Sequence, residues 1–339
     1  MIEPSGGCDR WDSACVANPV VLAPKKEGEE WLCFYYGNNG SWANGVPCFL
    51  PTGSTGLARS PDGIEWTKVD GHEPGAAVFG PGAENDWDGL HTGVGDVVRL
   101  KNGTLLMFYF GASAEEVSMG PQSVAGLRMN IGRAVSEDEG LTWQRDPEPV
   151  LKWSSEEGLF CSWPRIVPPL QGDGDEEEEW RLLYHAFDGK SWRVFTATST
   201  DSGRSWERGG LILEGGDEAA FDSMGIGTRA VVRRESDLLM IFEGVSRDTG
   251  LHSLGAATSE DGGKTWAKLL DGGGPVVVPG GAAGQWTEQV VGTPFLVPMP
   301  DGALRLYFCA KESPAMNMSI GCLVSPDGKV GPDDWKPAA

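Results

Sequence analysis

A short phrase recurs along the chain. Ser136-x-Asp138-x-Gly140-x-Thr142-Trp143 returns as Ser199, Asp201, Gly203, Ser205 and Trp206, and again as Ser259, Asp261, Gly263, Thr265 and Trp266. A form one residue shorter runs Ser60-Pro61-Asp62-Gly63-Ile64-Glu65-Trp66, and a degenerate one, Ser325-Pro326-Asp327-Gly328, comes last. Five copies about 65 residues apart mean a repeat architecture, in which each unit buries its apolar face by stacking on its neighbours. Each copy follows a run of strand type, at 56–58, 131–134, 194–197, 254–257 and 320–323. Within it, Asp can bond its own backbone and Gly accepts positive φ, so the phrase reads as a hairpin turn. The Trp then begins the next strand and caps the turn from its apolar side.

Two further strand signals precede each copy. The nearer is an apolar-aromatic run, at 31–36, 105–110, 180–185, 238–243 and 304–309. The farther is a second repeated phrase, 11–21, matched by 221–231 and 286–296, with a longer version at 87–98 and a shortened one at 160–167. It holds Gly, Ala, Thr and polar residues where the other strands are apolar. An innermost propeller strand needs this, because small residues let strands converge and polar ones face a wet channel. No stretch carries a long helical period, so helix content is expected to be small. The pattern predicts an all-β chain: a five-bladed β-propeller with four antiparallel strands per blade, Asp-box-like turns between strands 3 and 4, and one domain over 1–339. The segment leading into strand one and the loop between strands two and three then emerge on one face. The two long insertions, 37–54 and 111–129, carry Trp42, Phe49 and Met119 and are expected to flank one pocket there, opposite the Asp-containing turns.

The 49 acidic and 27 basic residues give a net charge of −22, which disfavours nucleic acid and anionic membranes as partners. Part of the excess is the run 173–179, which reads as a solvated loop rather than a cation cage. Seven cysteines without C-x-x-C spacing imply neither a zinc site nor a disulfide framework, and fit a reducing compartment, cytosol or organelle, better than secretion. The first residues are not a signal peptide, although a trimmed targeting segment would leave the same start, and no apolar run is long enough to span a bilayer. The expected partner is a small molecule or glycan, the expected state a monomer or weak oligomer. No cofactor is expected; a channel-bound cation is compatible with the acids described next.

The phrases at 221–229, Tyr35-Tyr36-Gly37, 131–136 and 60–66 carry a resemblance. Over essentially its whole length the chain resembles the five-bladed propeller superfamily of arabinanases, levansucrases and invertases, chiefly in architectural motifs. The resemblance implies a glycosidase-like hydrolase or transferase acting on a small sugar or glycoside in the central channel. It also implies three carboxylates: a first-blade Asp as base or nucleophile, a second-blade Asp that orients, and a later Glu as acid. Asp96 matches the second-blade Asp. Where the first-blade Asp is expected the chain has Asn18-Pro19, with Asp12 the nearest substitute. The third-blade Glu would fall near Ser162, and Asp222, Glu243 and Glu288 are the acids on channel-facing segments that could replace it.

Arg165 and Arg229 are placed level with Asp96 as the only inner-strand cations. They could grip an anionic ligand bidentately or neutralise Asp12, Asp88, Asp96 and Asp222, within hydrogen-bonding reach of these acids. His91 and His185 point toward the axis, as proton carriers or as buried, hydrogen-bonded side chains. Cys161 is a nucleophile only if a base is positioned beside it. Trp11, Trp87 and Trp286 read equally as sugar-stacking walls and as wedges between blades. Two other readings stay open: a non-catalytic carbohydrate- or ligand-binding propeller, and an enzyme of different chemistry that reuses the channel through His91, Arg165, Arg229 and Cys161.

Overall fold

The computed structural model describes residues 1–338 apart from 8, 43–47, 168–178, 271–273, 283 and 312–316; most of the acidic run 173–179 therefore lies outside the described residues. Among the described residues, twenty-two strands and a few 3-10 turns make up the regular structure, with no α-helix. The first antiparallel unit is β1 (Cys15–Leu22), β2 (Trp31–Asn38), β3 (Gly53–Ser60) and β4 (Thr67–Val69). The second is β5 (His91–Arg99), β6 (Leu105–Ala112), β9 (Asn130–Ser136) and β10 (Gln144–Arg145). Its 111–129 insertion holds an extra hairpin, β7 (Glu116–Met119) and β8 (Gln122–Ala125). The third comprises β11 (Ser162–Val167), β12 (Trp180–Phe187), β13 (Trp192–Ser199) and β14 (Glu207–Leu213). The fourth is β15 (Gly225–Arg233), β16 (Leu238–Val245), β17 (His252–Ser259) and β18 (Ala267–Lys268), and the fifth β19 (Val290–Pro298), β20 (Leu304–Lys311), β21 (Ser319–Ser325) and β22 (Lys336–Pro337). Each unit is a meander in which sequential strands pair.

The first strands of successive units lie against one another: β1 on β5, β5 on β11, β11 on β15, β15 on β19, and β19 back on β1. Each carries a register shift at the same level, at Asn18-Pro19, Gly95, Trp163-Pro164, Gly227-Thr228 and Thr293-Pro294. A bulge sharpens the twist of a strand and re-aims its side chains. Asn18, Trp163 and Thr293 hold positive φ there (51°, 47° and 45°), a conformation sparsely populated by residues other than glycine. Near the start of the chain Ile2 pairs with Ile320 of β21, exchanging backbone hydrogen bonds of 2.9 and 2.8 Å.

The repeated phrase forms a hydrogen-bonded turn and also joins the units. In the turn after β13, Asp201 accepts from the Ser199 hydroxyl (2.7 Å), the amides of Arg204 and Ser205 (3.0 and 2.9 Å) and the Ser205 hydroxyl (2.6 Å). Of the turn tryptophans, Trp143, Trp206 and Trp266 bond a glycine carbonyl of their own turn, as Trp143 Nε1 does to Gly140 (3.0 Å). Turn tryptophan rings pack edge-on against the second strand of the unit before: Trp143 on Phe34, Trp206 on Phe108, and Trp66 on Tyr307 of the fifth unit. Gly140 is required twice over, by its φ of 85° and because a Cβ there would come within 2.4 Å of Phe34.

These turns make the fold acid-sensitive. Partial burial pushes the carboxyls of Asp138, Asp201 and Asp261 up. The hydroxyl and amide donors outweigh it and hold all three below the ordinary range, Asp201 at about 2; Asp62 is held down by the amides of Glu65 and Ile64. A carboxyl depressed by folding stabilises the fold above its unfolded pKa near 3.8 and loses that contribution as pH falls through the folded value. The denaturant midpoint is therefore expected to fall between about pH 4 and pH 2, and less steeply in Asp201→Asn than in the parent. A midpoint flat across that interval would contradict the role given to the turns.

Candidate active site

Asp12, Asp88 and Asp222 are buried, but each is turned into its own unit rather than into the channel. Asp12 accepts from the Tyr35 hydroxyl (3.1 Å) and Lys68 Nζ (2.5 Å). Asp88 accepts from Tyr109 (2.8 Å) and Arg145 (2.7 Å), and Asp222 from Lys268 (2.6 Å) and the amide of Gly216 (2.9 Å). In the third unit Glu157 does the same with Tyr184 (2.7 Å) and Arg208 (3.1 Å). In these four units the cation comes from the fourth strand, so a buried carboxylate that would be costly alone ties the outer strand to the start of the inner one. This corrects the expectation that the three aspartates share a channel with Arg165 and Arg229. A sequence signal for it exists: the turn Trp is followed two residues on by Lys68, Arg145, Arg208 and Lys268. In the fifth unit Thr287 and Phe308 occupy the acid and tyrosine places.

The aromatic residues leading into the strands belong to the same arrangement. Trp11 stacks on Tyr35 (5.6 Å between centroids), Trp87 on Tyr109 (5.6 Å) and Trp286 on Phe308 (5.3 Å). A Cβ on Gly56 would lie 2.6 Å from Trp11, and one on Gly321 2.3 Å from Trp286. These rings are wedges within units, not walls for a sugar. Glu288 is exposed beyond a 3-10 turn ahead of β19, apart from the other candidates. Cys161 is fully buried; burial pushes its thiol up to about 12, and its Sγ points at the carbonyl of Leu151 (3.5 Å), with no basic side chain hydrogen-bonded to it among the described residues. His91 is buried with Nε2 on the carbonyl of Gly126 (2.9 Å), and burial lowers its pKa, so it stays neutral.

Arg165 lies at the centre. Its Nε donates to the carbonyl of Arg229 (2.7 Å) and Nη1 to that of Gly95 (2.6 Å). Nη2 faces the carbonyls of Pro19 (3.4 Å) and Pro294 (3.5 Å) and the side-chain oxygen of Asn18 (3.5 Å). One guanidinium thus serves β15, β5, β1 and β19 from its place on β11, at the level of the bulges. The Asn18 amide explains why no carboxylate stands there: its Nδ2 donates to the carbonyl of Val94, which an aspartate could not do. Asp96, the acid that matches the second-blade position, is buried beside Arg165. It is held by the amides of Ile166 (2.8 Å) and Val97 (2.9 Å) and lies 3.6 Å from Arg165. Burial raises its pKa, opposed by the charge of Arg165.

Arg229 is not level with these two. Asp96 and Arg165 pair with Phe108 and Leu183 of their second strands and Ala230 with Ile241, while Arg229 sits one residue earlier, opposite Phe242. An offset of one residue turns a strand side chain to the other face. Arg229 is fully buried. Its Nη2 donates to the carbonyl of Trp163 (3.0 Å) and lies 3.2 Å from His185 Nδ1, while Nε and Nη1 make no hydrogen bond among the described residues. Burial and the charge of Arg165 lower its pKa to about 9. Burial and Arg229 together lower that of His185 to about 3, so this imidazole is neutral. Nor are the two arginines alone on the inner strands, since β5 ends at Arg99 and β15 at Arg233.

The upper end of the channel, on the side where the two-to-three loops emerge, gathers the remaining candidates. Tyr36, Phe110, His185, Glu243 and Cys309 recur at one position on the second strands. An aromatic arc runs from Tyr36 through Phe110 (6.4 Å) to Trp163 (4.2 Å) and on to His185 (4.9 Å). Glu243, 8% exposed, takes the corresponding place in the next unit. Its Oε1 is 2.6 Å from His252 Nδ1, and its Oε2 accepts from the Thr228 hydroxyl and from the amide of Thr293 (3.1 Å). Burial pushes the Glu243 carboxyl up, but the bond and charge of His252, with these donors, bring it down to about 2. The same contact raises His252 against its own burial. His252 is the partner that sequence reasoning missed; a histidine opening strand three beside a strand-two glutamate is the signal. The insertions at 37–54 and 111–129 touch one another: Cys48 bridges to Ala125, whose carbonyl accepts from the Phe49 amide (3.0 Å). Phe49 packs on Phe160, whereas Trp42 and Met119 are exposed.

This geometry is that of the propeller-type glycosidase fold. The solved structure of a glycosyl hydrolase from Bacteroides ovatus superposes with a TM-score of 0.66 at 16% identity, over 99% of this chain and 93% of that one. Sucrose-6-phosphate hydrolase from Lactobacillus gasseri gives 0.66 at 16% identity, over 95% of this chain and 60% of that one. A structure from the GH130 family of mannoside phosphorylases and hydrolases acting on β-1,2 mannosidic linkages in Candida mannan gives 0.62 at 16% identity, over 100% and 95%. The chain belongs to the BNR repeat-like domain family, whose pattern matches residues 82–330. No curated protein matches the sequence. No helix among the described residues is long and apolar enough to cross a membrane.

Proposed function

We propose that the protein is a glycosidase-like hydrolase or transferase that takes a small sugar or glycoside at the upper end of the channel. In this reading its five meanders are the blades of one five-bladed propeller spanning 1–339, with Asp-box turns on the lower face. The observation that carries the reading is Glu243, a buried carboxylate kept ionised by His252, Thr228 and Thr293 beside the aromatic arc. An ionised carboxylate suits the work of base, nucleophile or charge stabiliser at a sugar carbon, and a protonated imidazole suits donation to the leaving oxygen. His252 is held through Nδ1, so a proton exchanged with substrate would pass through Nε2. Trp163 and Tyr36, both partly exposed, offer faces on which a sugar ring can stack. The structural neighbours, hydrolases and phosphorylases of glycosides, support the same substrate class, and a net charge of −22 supports a small ligand over nucleic acid.

A second reading, a sugar-binding propeller without turnover, is favoured by the commitment of Asp12, Asp88 and Asp222 to their own units, which leaves no second predicted acid beside Glu243. Aryl glycosides and oligosaccharides incubated with the protein, with and without phosphate, separate the two. Release of aglycone or sugar that follows the protein concentration supports an enzyme. Saturable calorimetric binding of a glycan without turnover supports the second reading, and neither result across a broad panel removes both.

A further inference from the structure

At the lower end of the channel, below Arg165, a cavity of about 410 Å³ opens beside the Asp-containing turns. Its lining comes only from residues after the bulges, so it shares no side chain with the upper site. The walls include Leu22 of β1, Val98 of β5, Val231 of β15 and Phe295 of β19, all partly exposed. Asp96 and Arg165 form the floor, and Lys25, Arg99 and Arg233 stand at the mouth.

We propose that this cavity is a second ligand site for a small amphipathic anion, an apolar body carrying one carboxylate, sulfate or phosphate head. The proposal is independent of the reading of the upper site. A volume of this size is that of an ordinary small-molecule pocket, and apolar surface left uncovered in a concave site marks a place where an apolar group gains by binding. The floor offers a ligand no donor, because the Arg165 nitrogens already face backbone carbonyls and Asn18. The Asp96 oxygens already accept from the amides of Ile166 and Val97 and offer an anionic head no donor, which leaves the mouth as the place for it. Lys25 from the loop after β1, Arg99 from the end of β5 and Arg233 from the end of β15 gather at that mouth on a molecule of net charge −22, where Glu29 also stands, 3.8 Å from Arg99. Head at the rim and tail toward Phe295 is the orientation that satisfies both ends.

Titration calorimetry with octanoate, n-octanol and octyltrimethylammonium tests this on the full chain. Octanoate is expected to bind saturably, one per chain, more tightly than the uncharged and cationic analogues. Val231→Trp fills the cavity and should weaken octanoate at least tenfold. The paired change Arg99→Gln with Arg233→Gln should weaken octanoate about tenfold and leave octanol unchanged. Glu243→Gln should bind octanoate as the parent does, which keeps this result separate from any failure at the upper site. If Val231→Trp does not fold, Val98→Trp enters the same space from β5. No saturable octanoate binding by the parent overturns the proposal, as does a folded, filled variant of parent affinity. Octanol or octyltrimethylammonium binding as tightly as octanoate overturns the assignment of an anion.

Discussion

Arg165→Met should destabilise the protein by about 3–5 kcal/mol, the cost typical of removing one partner from a buried charged network. Methionine fills similar length but leaves the carbonyls of Gly95, Pro19, Pro294 and Arg229 without their donor, and Asp96 without its nearby cation. Each buried acceptor so stranded carries its own desolvation penalty of about 1–3 kcal/mol, partly relieved by water entering from the cavity below. Arg165→Lys keeps the charge but cannot span acceptors on four strands with one planar fork, so its loss should fall between the two. Urea unfolding of the three proteins measures this. A methionine variant within about 1 kcal/mol of the parent would mean that the bulge carbonyls find other donors and that Arg165 is not the centre of the fold.

The second large effect concerns activity. Glu243→Gln is expected to lower kcat/KM on whatever glycoside the parent turns over by about 10²- to 10⁴-fold, the usual contribution of a positioned acid or base. The amide can still accept from Thr228 and Thr293, so the fold should persist. Asp12→Asn is the counterpart: it weakens the pairing with Lys68 and should lower stability while leaving turnover near the parent's. Equal losses of activity in both variants would remove Glu243 from its special place.

The pH profile adds a signature. Glu243 is depressed to about 2, so its contribution to stability is present above its unfolded value near 4.5 and lost as pH falls through the folded value. His252 is raised above 6.5, so its contribution is full below 6.5 and lost as pH rises through its folded pKa. Activity that depends on this pair should therefore hold through mildly acidic pH and decline as pH rises through the raised folded pKa of His252, and Glu243→Gln should shift that decline to lower pH.

The turn phrase announces its hairpins because Asp, Gly and Trp act within a few residues of one another, and local chemistry is visible in a local string. The strand-one phrase is legible for the same reason. Side-chain direction is harder. Asp12 and Glu243 are both acids near the axis by residue count, yet one turns outward to Lys68 and the other inward to Thr293, and the partners that decide this lie 56 and 50 residues away. Arg229 shows how narrow the margin is, since a one-residue bulge offset separates it from the level of Arg165. Asn18 reads as a missing aspartate until Val94 and Thr293 are brought to it by folding, 76 and 275 residues on. Long-range partners of this kind leave no pattern in a single sequence unless they repeat, as Lys68, Arg145, Arg208 and Lys268 do.

The acceptors of Arg165 run from Asn18 to Pro294 along the chain, and this has a kinetic meaning. Until both the earliest and the latest inner strands are in place, water remains the better host for the guanidinium. Contacts so distant in sequence form late, because closing long loops costs entropy before it is rewarded. An interaction absent from the folding transition state slows escape from the native state and leaves the rate of reaching it nearly unchanged. Arg165 is then a latch: it takes little part in assembling the ring and holds it shut once assembled.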